Sequence, residues 1–320
     1  MQEALEGLVA ASQGSLRLLD GTTAVVRSHL APGKVGLLIG GGSGHEPLFP
    51  GFVGDGLADV AACGNVFAAP TPDVILAATR AVARGKGVLY VYGNYAGDNL
   101  NFELAAELAA EEGLVTQTVR IWDDVAAAPP DRYMDRRGIA GDLFVIKVAG
   151  GVCSLARTLE EAALVTSKAR DQTRTVGVAV SAGSIPETGE PTFELGADEI
   201  EIGMGLHGEP GVSRGKLASA DLLVEDMVDR IVADLPFEAG DEVCLLVNDL
   251  GSTTWMELLI AARQAHRLMR EYGIAVHDTV VGSFCTCQEM AGFSLTFMKL
   301  DPELKRYYDM PARSPGFTKT

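Results

Sequence analysis

Three stretches of this 320-residue chain gather side chains able to do chemistry, and glycine frames each of them. The first is Gly40-Gly41-Gly42-Ser43-Gly44-His45-Glu46-Pro47, directly after the apolar run VGLLI at residues 35–39. Consecutive glycines at a strand end let backbone N–H groups approach an oxygen-rich ligand with no Cβ in the way. Neither common phosphate loop fits: a Walker loop requires Gly-Lys-Ser/Thr, and a dinucleotide loop requires a third glycine where His45 stands. A structural turn is the alternative, but it needs one or two glycines and no Ser43 or His45. The second stretch, Gly93-Asn94-Tyr95-Ala96-Gly97-Asp98, follows another apolar run. Asp98 there suits a carboxylate base or an acceptor for a substrate hydroxyl, or else a helix N-cap.

The third stretch is Gly203-Met204-Gly205-Leu206-His207-Gly208-Glu209-Pro210-Gly211. It contains the letters G-x-G-x-x-G, yet Pro210 and Gly211 interrupt any helix that should begin there, which removes the dinucleotide reading. His207 sits among small residues that leave its ring accessible, and a neutral imidazole is a competent nucleophile toward an electrophilic carbon. A fourth polar segment, Asn248 to Thr254, leads into a helical pattern and reads as a cap with some contact role.

These stretches need elements to hold them. Short β-branched runs alternate with Ala- and Leu-rich amphipathic stretches, the pattern of a layered α/β fold. Strands are expected at residues 35–39, 87–92, 115–121, 175–181, 198–202, 242–247, 275–281 and 294–300, and helices at about 99–112, 157–170, 217–233 and 254–272. The breakers Pro186, Gly189 and Pro191 suggest two α/β domains, residues 1–182 with His45 and Asp98 and residues 183–320 with His207. Loops beyond the strand C-termini would then form the ligand crevice.

Composition narrows the function. Hydrophobic residues make up 47% and charged residues 22%, as in an ordinary folded protein. A net charge of −17 offers no basic face for nucleic acid. No apolar run is long enough for a membrane span, and the N-terminus lacks a basic segment followed by an apolar one, so a cytoplasmic location is expected. Cys63, Cys153, Cys244, Cys285 and Cys287 are odd in number and mostly lie in apolar stretches, as buried reduced thiols do. Cys285 and Cys287 form a lone C-x-C without further ligands, and the five histidines are scattered, so no metal is expected.

The motifs GGGSGHEP, NYAGDNLNF, RRGIAGDLFVIKVAG, FELGADEIEIGMGLHGEPG and AGFSLT, in this order over residues 4–300 or so, resemble the substrate-binding subunit of the dihydroxyacetone kinase family. The resemblance implies that His207 attacks the ketone carbon of a short ketose to form a hemiaminal. It implies that His45 and Asp98 contact substrate hydroxyls and assist proton removal, and that Gly42, Ser43 and Gly44 line the substrate. A covalent link makes sense for a small polyol, which offers little apolar area, and it excludes glycerol, which has no carbonyl. The resemblance further implies a homodimer and a separate nucleotide-binding kinase subunit carrying ATP or ADP with magnesium, without which the chain is expected to be inactive.

Two positions depart from the family pattern. Gly93 stands where a substrate-contacting lysine is usual, and Asn99 where arginine is frequent. Loss of the lysine points to a larger ketose, such as erythrulose or apulose. The alternative is a catalytically silent ketose-binding coactivator or sensor. Retention of His45, Asp98 and His207 favours the kinase subunit.

Overall fold

The computed structural model describes residues 1–186 and 188–320. In chain order the first elements are α1 (Gln2–Ala11), β1 (Leu16–Leu18), β2 (Ala24–Arg27), β3 (Gly36–Ser43), β4 (Val60–Val66), α2 (Pro72–Val82), β5 (Val88–Gly93), α3 (Ala96–Glu111), β6 (Thr116–Ile121), α4 (Asp142–Leu155) and α5 (Leu159–Asp171). Next come β7 (Thr173–Ser181), β8 (Glu199–Ile202), β9 (Ser213–Lys216), α6 (Ala220–Asp234), β10 (Glu242–Asp249), α7 (Trp255–Glu271), β11 (Ala275–Gly282) and β12 (Ala291–Leu300). The chain closes with α8 (Pro302–Tyr308) and the short pair β13 (Ala312–Arg313) and β14 (Thr318–Lys319). The layered α/β class expected from the sequence is what the chain adopts.

The division into units differs from a boundary near residue 182. The first unit comprises Met1–Ile121, Asp142–Arg170 and Pro302–Thr320, and the second comprises Trp122–Gly141 and Asp171–Asp301. The reason is strand pairing. β7 was expected to close the first domain, but it pairs antiparallel with β12 through eight residue pairs, from Ala291 opposite Ser181 to Met298 opposite Thr173. A strand held in the interior of a sheet belongs with that sheet, whatever its place in the sequence.

In the first unit six strands run β1-β2-β4-β3-β5-β6. The β3, β4, β5 and β6 pairs are parallel. Their side chains are buried on both faces of the central strands, which is why VLYVY and GLLI read as unbroken apolar runs. The expected β5–α3–β6 crossover is present. α4 is a helix the sequence pattern conceals. Its segment DLFVIKVAGGVC is buried on every side, so no amphipathic period marks it. Gly150 and Gly151 let neighbours approach α4 closely, because a Cβ there would lie 2.4 Å from the Gly56 carbonyl oxygen and 2.7 Å from that of Tyr307.

The second unit carries a mixed sheet ordered β11-β10-β12-β7-β8-β9, with only β10 and β11 parallel. α6 and α7 pack Val224, Met227, Ile231, Leu258, Ala262 and Leu268 onto it. β8 alternates as DEIEI suggested, but it is not half exposed. Glu201 is buried as well, its carboxylate accepting from Gly211 N at 2.6 Å and facing Arg214.

Candidate functional site

β3 and β5 are adjacent and parallel, from Gly36 opposite Val88 to Ile39 opposite Val91, so both release their following segments at one edge of the sheet. That register puts Ser43 to His45 and Asn94 to Asp98 at the same end of the first unit. The glycine run is not the loop expected, however. Gly40 to Ser43 continue β3, and a Cβ at Gly40 would lie 2.5 Å from the Ala62 carbonyl oxygen, one at Gly41 only 2.2 Å from the Phe49 ring. Close packing accounts for those two. Gly42 is also tight, with a Cβ position 3.0 Å from Ala68 N. Gly44, at φ +98°, makes the turn and donates its N–H to the Glu46 carboxylate at 3.0 Å.

Ser43 is buried, and its hydroxyl donates to the Gly64 carbonyl at 2.7 Å, leaving the oxygen lone pairs as its remaining capacity. His45 is buried too, its ring centroid 5.3 Å from that of Phe67. Asp98 is not an N-cap. Tyr95 holds that position, with extended backbone, and Asp98 is the third residue of α3, buried in the first turn where the helix dipole favours a carboxylate. Asn99, one residue on, donates to Asn94 Oδ1 at 2.9 Å and ties the helix start to the end of β5.

His207 belongs to the second unit, on the ten residues that join β8 to β9. Those strands pair antiparallel, with Ile202 opposite Ser213, so the segment is a hairpin loop rather than the start of a helix. The loop folds onto itself: Gly205 N donates to Glu209 O at 2.9 Å and Gly208 N to Gly205 O at 3.1 Å, with Gly208 at φ +83°. Glu209 is thereby turned back on His207. One carboxylate oxygen lies 3.0 Å from Nδ1 of the ring, and the other accepts the His207 backbone N–H at 2.9 Å. Burial opposes ionisation of Glu209, but the ring and backbone N–H groups outweigh it and hold the carboxyl down at about 2.

Arg137 secures this arrangement. Its Nε and Nη2 lie 3.0 and 2.8 Å from Asp124 Oδ2, Nη2 also donates to the Gly203 carbonyl at 2.9 Å, and Nη1 lies 3.9 Å from Glu209. The Cys287 thiol donates to the Leu206 carbonyl, and burial pushes that thiol up to about 12. All five cysteines are buried, and none is joined in a disulfide. Sequence reasoning missed Glu209, Arg137 and Asp124. The signals were present as the E of HGEP and the second R of RRGIAGD, but nothing in their spacing joins them.

Elsewhere in the second unit, Thr254 caps α7 in a reciprocal pair with Glu257, as the polar segment suggested. Asn248 is fully buried. It donates to Cys285 O and accepts from the N–H groups of Phe284 and Cys285, a structural role. Among the described residues, no three His, Cys, Asp or Glu side chains gather closely enough to hold a metal ion, and no helix is long and apolar enough to cross a membrane.

The arrangement offers an imidazole with one nitrogen engaged by an ionised carboxylate, and separately a buried histidine and aspartate at a sheet edge. Comparison with known proteins gives it a context. Residues 6–316 match the Dak1 domain model. The chain is 41% identical over 97% of its length, and 94% of the relative's, to the dihydroxyacetone-binding subunit DhaK of PTS-dependent dihydroxyacetone kinase 1 from Listeria innocua. It is 38% identical to the L-erythrulose 1-kinase of Mycolicibacterium smegmatis, over 99% of this chain and 56% of that longer protein. Among solved structures, the dihydroxyacetone kinase of C. freundii superposes with a TM-score of 0.92 at 31% identity, covering 99% of this chain and 58% of that one. The dihydroxyacetone kinase operon co-activator DhaQ superposes at 0.93 and 30% identity, covering 99% and 98%. The chain belongs to the Dak1 family, as a member resembling the DhaK subunits.

Proposed function

We propose that this chain is the substrate-binding subunit of a dihydroxyacetone-type ketose kinase, a phosphotransferase with an alcohol acceptor. Nε2 of His207 bonds to the ketone carbon of a short ketose. Asp98 and His45 contact the substrate hydroxyls and assist proton removal from the one that is phosphorylated, and Gly42, Ser43 and Gly44 contribute to the substrate lining. The phosphoryl group comes from ATP, or from a donor relayed through tightly held ADP, with magnesium on a nucleotide-binding subunit. The chain works as a cytoplasmic homodimer with that partner.

The observation that carries this reading is the state of His207. Its side chain keeps 27% of its surface exposed on a glycine-framed loop, while Nδ1 is engaged by Glu209. A histidine serving only the core would be buried. Gly93 at the end of β5 offers no lysine, which supports acceptance of a four-carbon ketose alongside dihydroxyacetone. The likeness to erythrulose kinases points the same way.

A second reading has its own support in the likeness to the co-activator: the chain binds ketose as a signal without turnover. One experiment separates the two. The chain is mixed with dihydroxyacetone or erythrulose labelled with 13C at the carbonyl, and the carbonyl resonance is followed with and without a nucleotide-binding kinase subunit and ATP. Conversion of the ketone signal to that of a saturated carbon, abolished in His207→Ala, followed by ketose phosphate on adding the partner, is expected. Adduct without phosphate in the presence of a competent partner would favour the signal-binding reading. Absence of any adduct would overturn the covalent reading of His207.

A further inference from the structure

We propose that Glu209 is a positioning residue for the ketose-binding histidine, and that Arg137, braced by Asp124, fixes Glu209 in that role. The inference rests on the covalent reading of His207 and deepens it by assigning the reacting nitrogen and its counter-charge.

A histidine has two ring nitrogens, and only the one without a proton has a lone pair to give. Which one that is depends on the hydrogen bond made by the other. Here Nδ1 lies 3.0 Å from a carboxylate oxygen of Glu209. An ionised carboxylate can only accept, so it draws the ring proton to Nδ1 and leaves the lone pair on Nε2. The second carboxylate oxygen accepts the backbone N–H of the same histidine at 2.9 Å, so ring and main chain are gripped by one group.

Glu209 is itself constrained. The Arg137 guanidinium lies 3.9 Å from it, held in place by two contacts to Asp124 and one to the Gly203 carbonyl at the start of the same loop. Arg137 is largely buried and Asp124 fully so. A planar fork with contacts on three of its nitrogens is a rigid clamp, a task one lysine ammonium could not perform.

The chemistry balances with these groups. The Nε2 lone pair forms the bond to the ketone carbon, the carbonyl π pair moves onto oxygen, and that oxygen takes a proton from solvent. Because Nδ1 keeps its proton, the ring becomes a cationic imidazolium, and its charge faces the Glu209 carboxylate. Glu209 thus selects the attacking nitrogen before the reaction and stabilises the adduct after it, without touching the ketose.

The test uses the full chain labelled with 15N. Two-bond proton–nitrogen correlation of the His207 ring reports the tautomer, isothermal titration reports ketose affinity, and assay with the partner subunit separates KM from kcat. The wild-type ring is expected as the Nδ1–H tautomer. In Glu209→Gln, an amide that can either donate or accept, the ring is expected to shift toward the Nε2–H tautomer. Ketose affinity should then fall roughly 10- to 100-fold, the range for loss of a charge-assisted hydrogen bond, with KM rising in step. If E209Q does not fold, Glu209→Asp, which retracts the carboxylate by one methylene, should show the same direction. An Nε2–H ring in the wild type, or wild-type affinity in a folded E209Q, would overturn the assignment. An Nδ1–H ring that E209Q converts, in a protein forming no ketose adduct at all, would support the positioning and overturn only the covalent reading.

Discussion

Gly205→Ala disturbs the His207 support while leaving the fold nearly untouched, because of what its Cβ would meet. The nearest atoms are Glu209 Oε2 at 2.1 Å and Arg137 Nη1 at 2.2 Å, both ends of long side chains rather than backbone. To reach an ordinary contact of 3.4 Å, the Glu209 oxygen must retreat by about 1.3 Å. The same oxygen accepts the His207 N–H at 2.9 Å, so that bond breaks and the carboxylate swings off the ring. A hydrogen bond to a charged group is worth about 1.5–3 kcal/mol, and partial exposure of Glu209 reduces this to about 1–2 kcal/mol. Ketose affinity should therefore fall about five- to thirty-fold, read by isothermal titration with dihydroxyacetone. Arg137 keeps its Nε and Nη2 contacts to Asp124 and Gly203, so the melting temperature should stay within about 3 °C of the parent. A G205A protein that melts normally and binds ketose as tightly as the parent would refute the reasoning. So would one that loses its fold, because the new methyl would then not have been absorbed by side-chain ends.

Two further outcomes test the second unit. Asp234 is the shared partner of Arg136, which is buried, and of Arg174, and accepts from Arg136 Nη1 at 2.9 Å. Asp234→Ala strands both guanidinium groups and should lower the unfolding free energy by about 3–5 kcal/mol in a urea titration; a change below about 1 kcal/mol would show that the triad contributes nothing. Asp124 supplies a pH signature. Burial raises its carboxyl to about 6, against the pull of Arg137 and with a push from Asp123. The folded value lies above the unfolded one of about 3.9, so the folded state binds the extra proton, and stability falls as pH rises from about 4 through 6. The difference in unfolding free energy between the parent and Asp124→Asn should decline across that window and flatten above it, and a difference that rose instead would reverse the sign of the shift.

Much of the fold could be read directly. β3, β5, β6, β7, β10, β11 and β12 fall where β-branched and aromatic runs end at glycine or polar residues, α5, α6 and α7 where apolar residues recur at helical spacing, and α3 in an Ala- and Leu-rich stretch that Gly113 ends. The elements that escaped the sequence reading did so for separate reasons. α4 is buried all round, so its sequence carries no period of exposure to reveal a helix. β1, β2 and β9 are three or four residues long, too short for alternation to stand out. The unit boundary failed for a different reason. Pro186, Gly189 and Pro191 do mark a break in local structure, but a break in local structure is not a break between cores. β7, just before them, and β12, more than a hundred residues later, are neighbours in one sheet.

The site shows how the same residue type can mean opposite things. The run Gly40-Gly41-Gly42 reads in the sequence as a ligand loop, yet Ala62 and the Phe49 ring already fill the space where side chains would go at its first two positions. Glu209 lies in the same glycine-framed stretch as His207. Two positions apart, His207 and Glu209 share a face if the backbone is extended and diverge if it is helical, so the spacing alone cannot decide whether they meet. What decides it is Gly208, whose φ of +83° turns the chain back and lets Gly205 and Glu209 close the loop through their backbones. A Cβ there would also lie 2.6 Å from the Thr192 carbonyl oxygen, so no other residue fits without strain. Gly208 in GLHGE therefore has a conformational task, which is to place a carboxylate behind the imidazole.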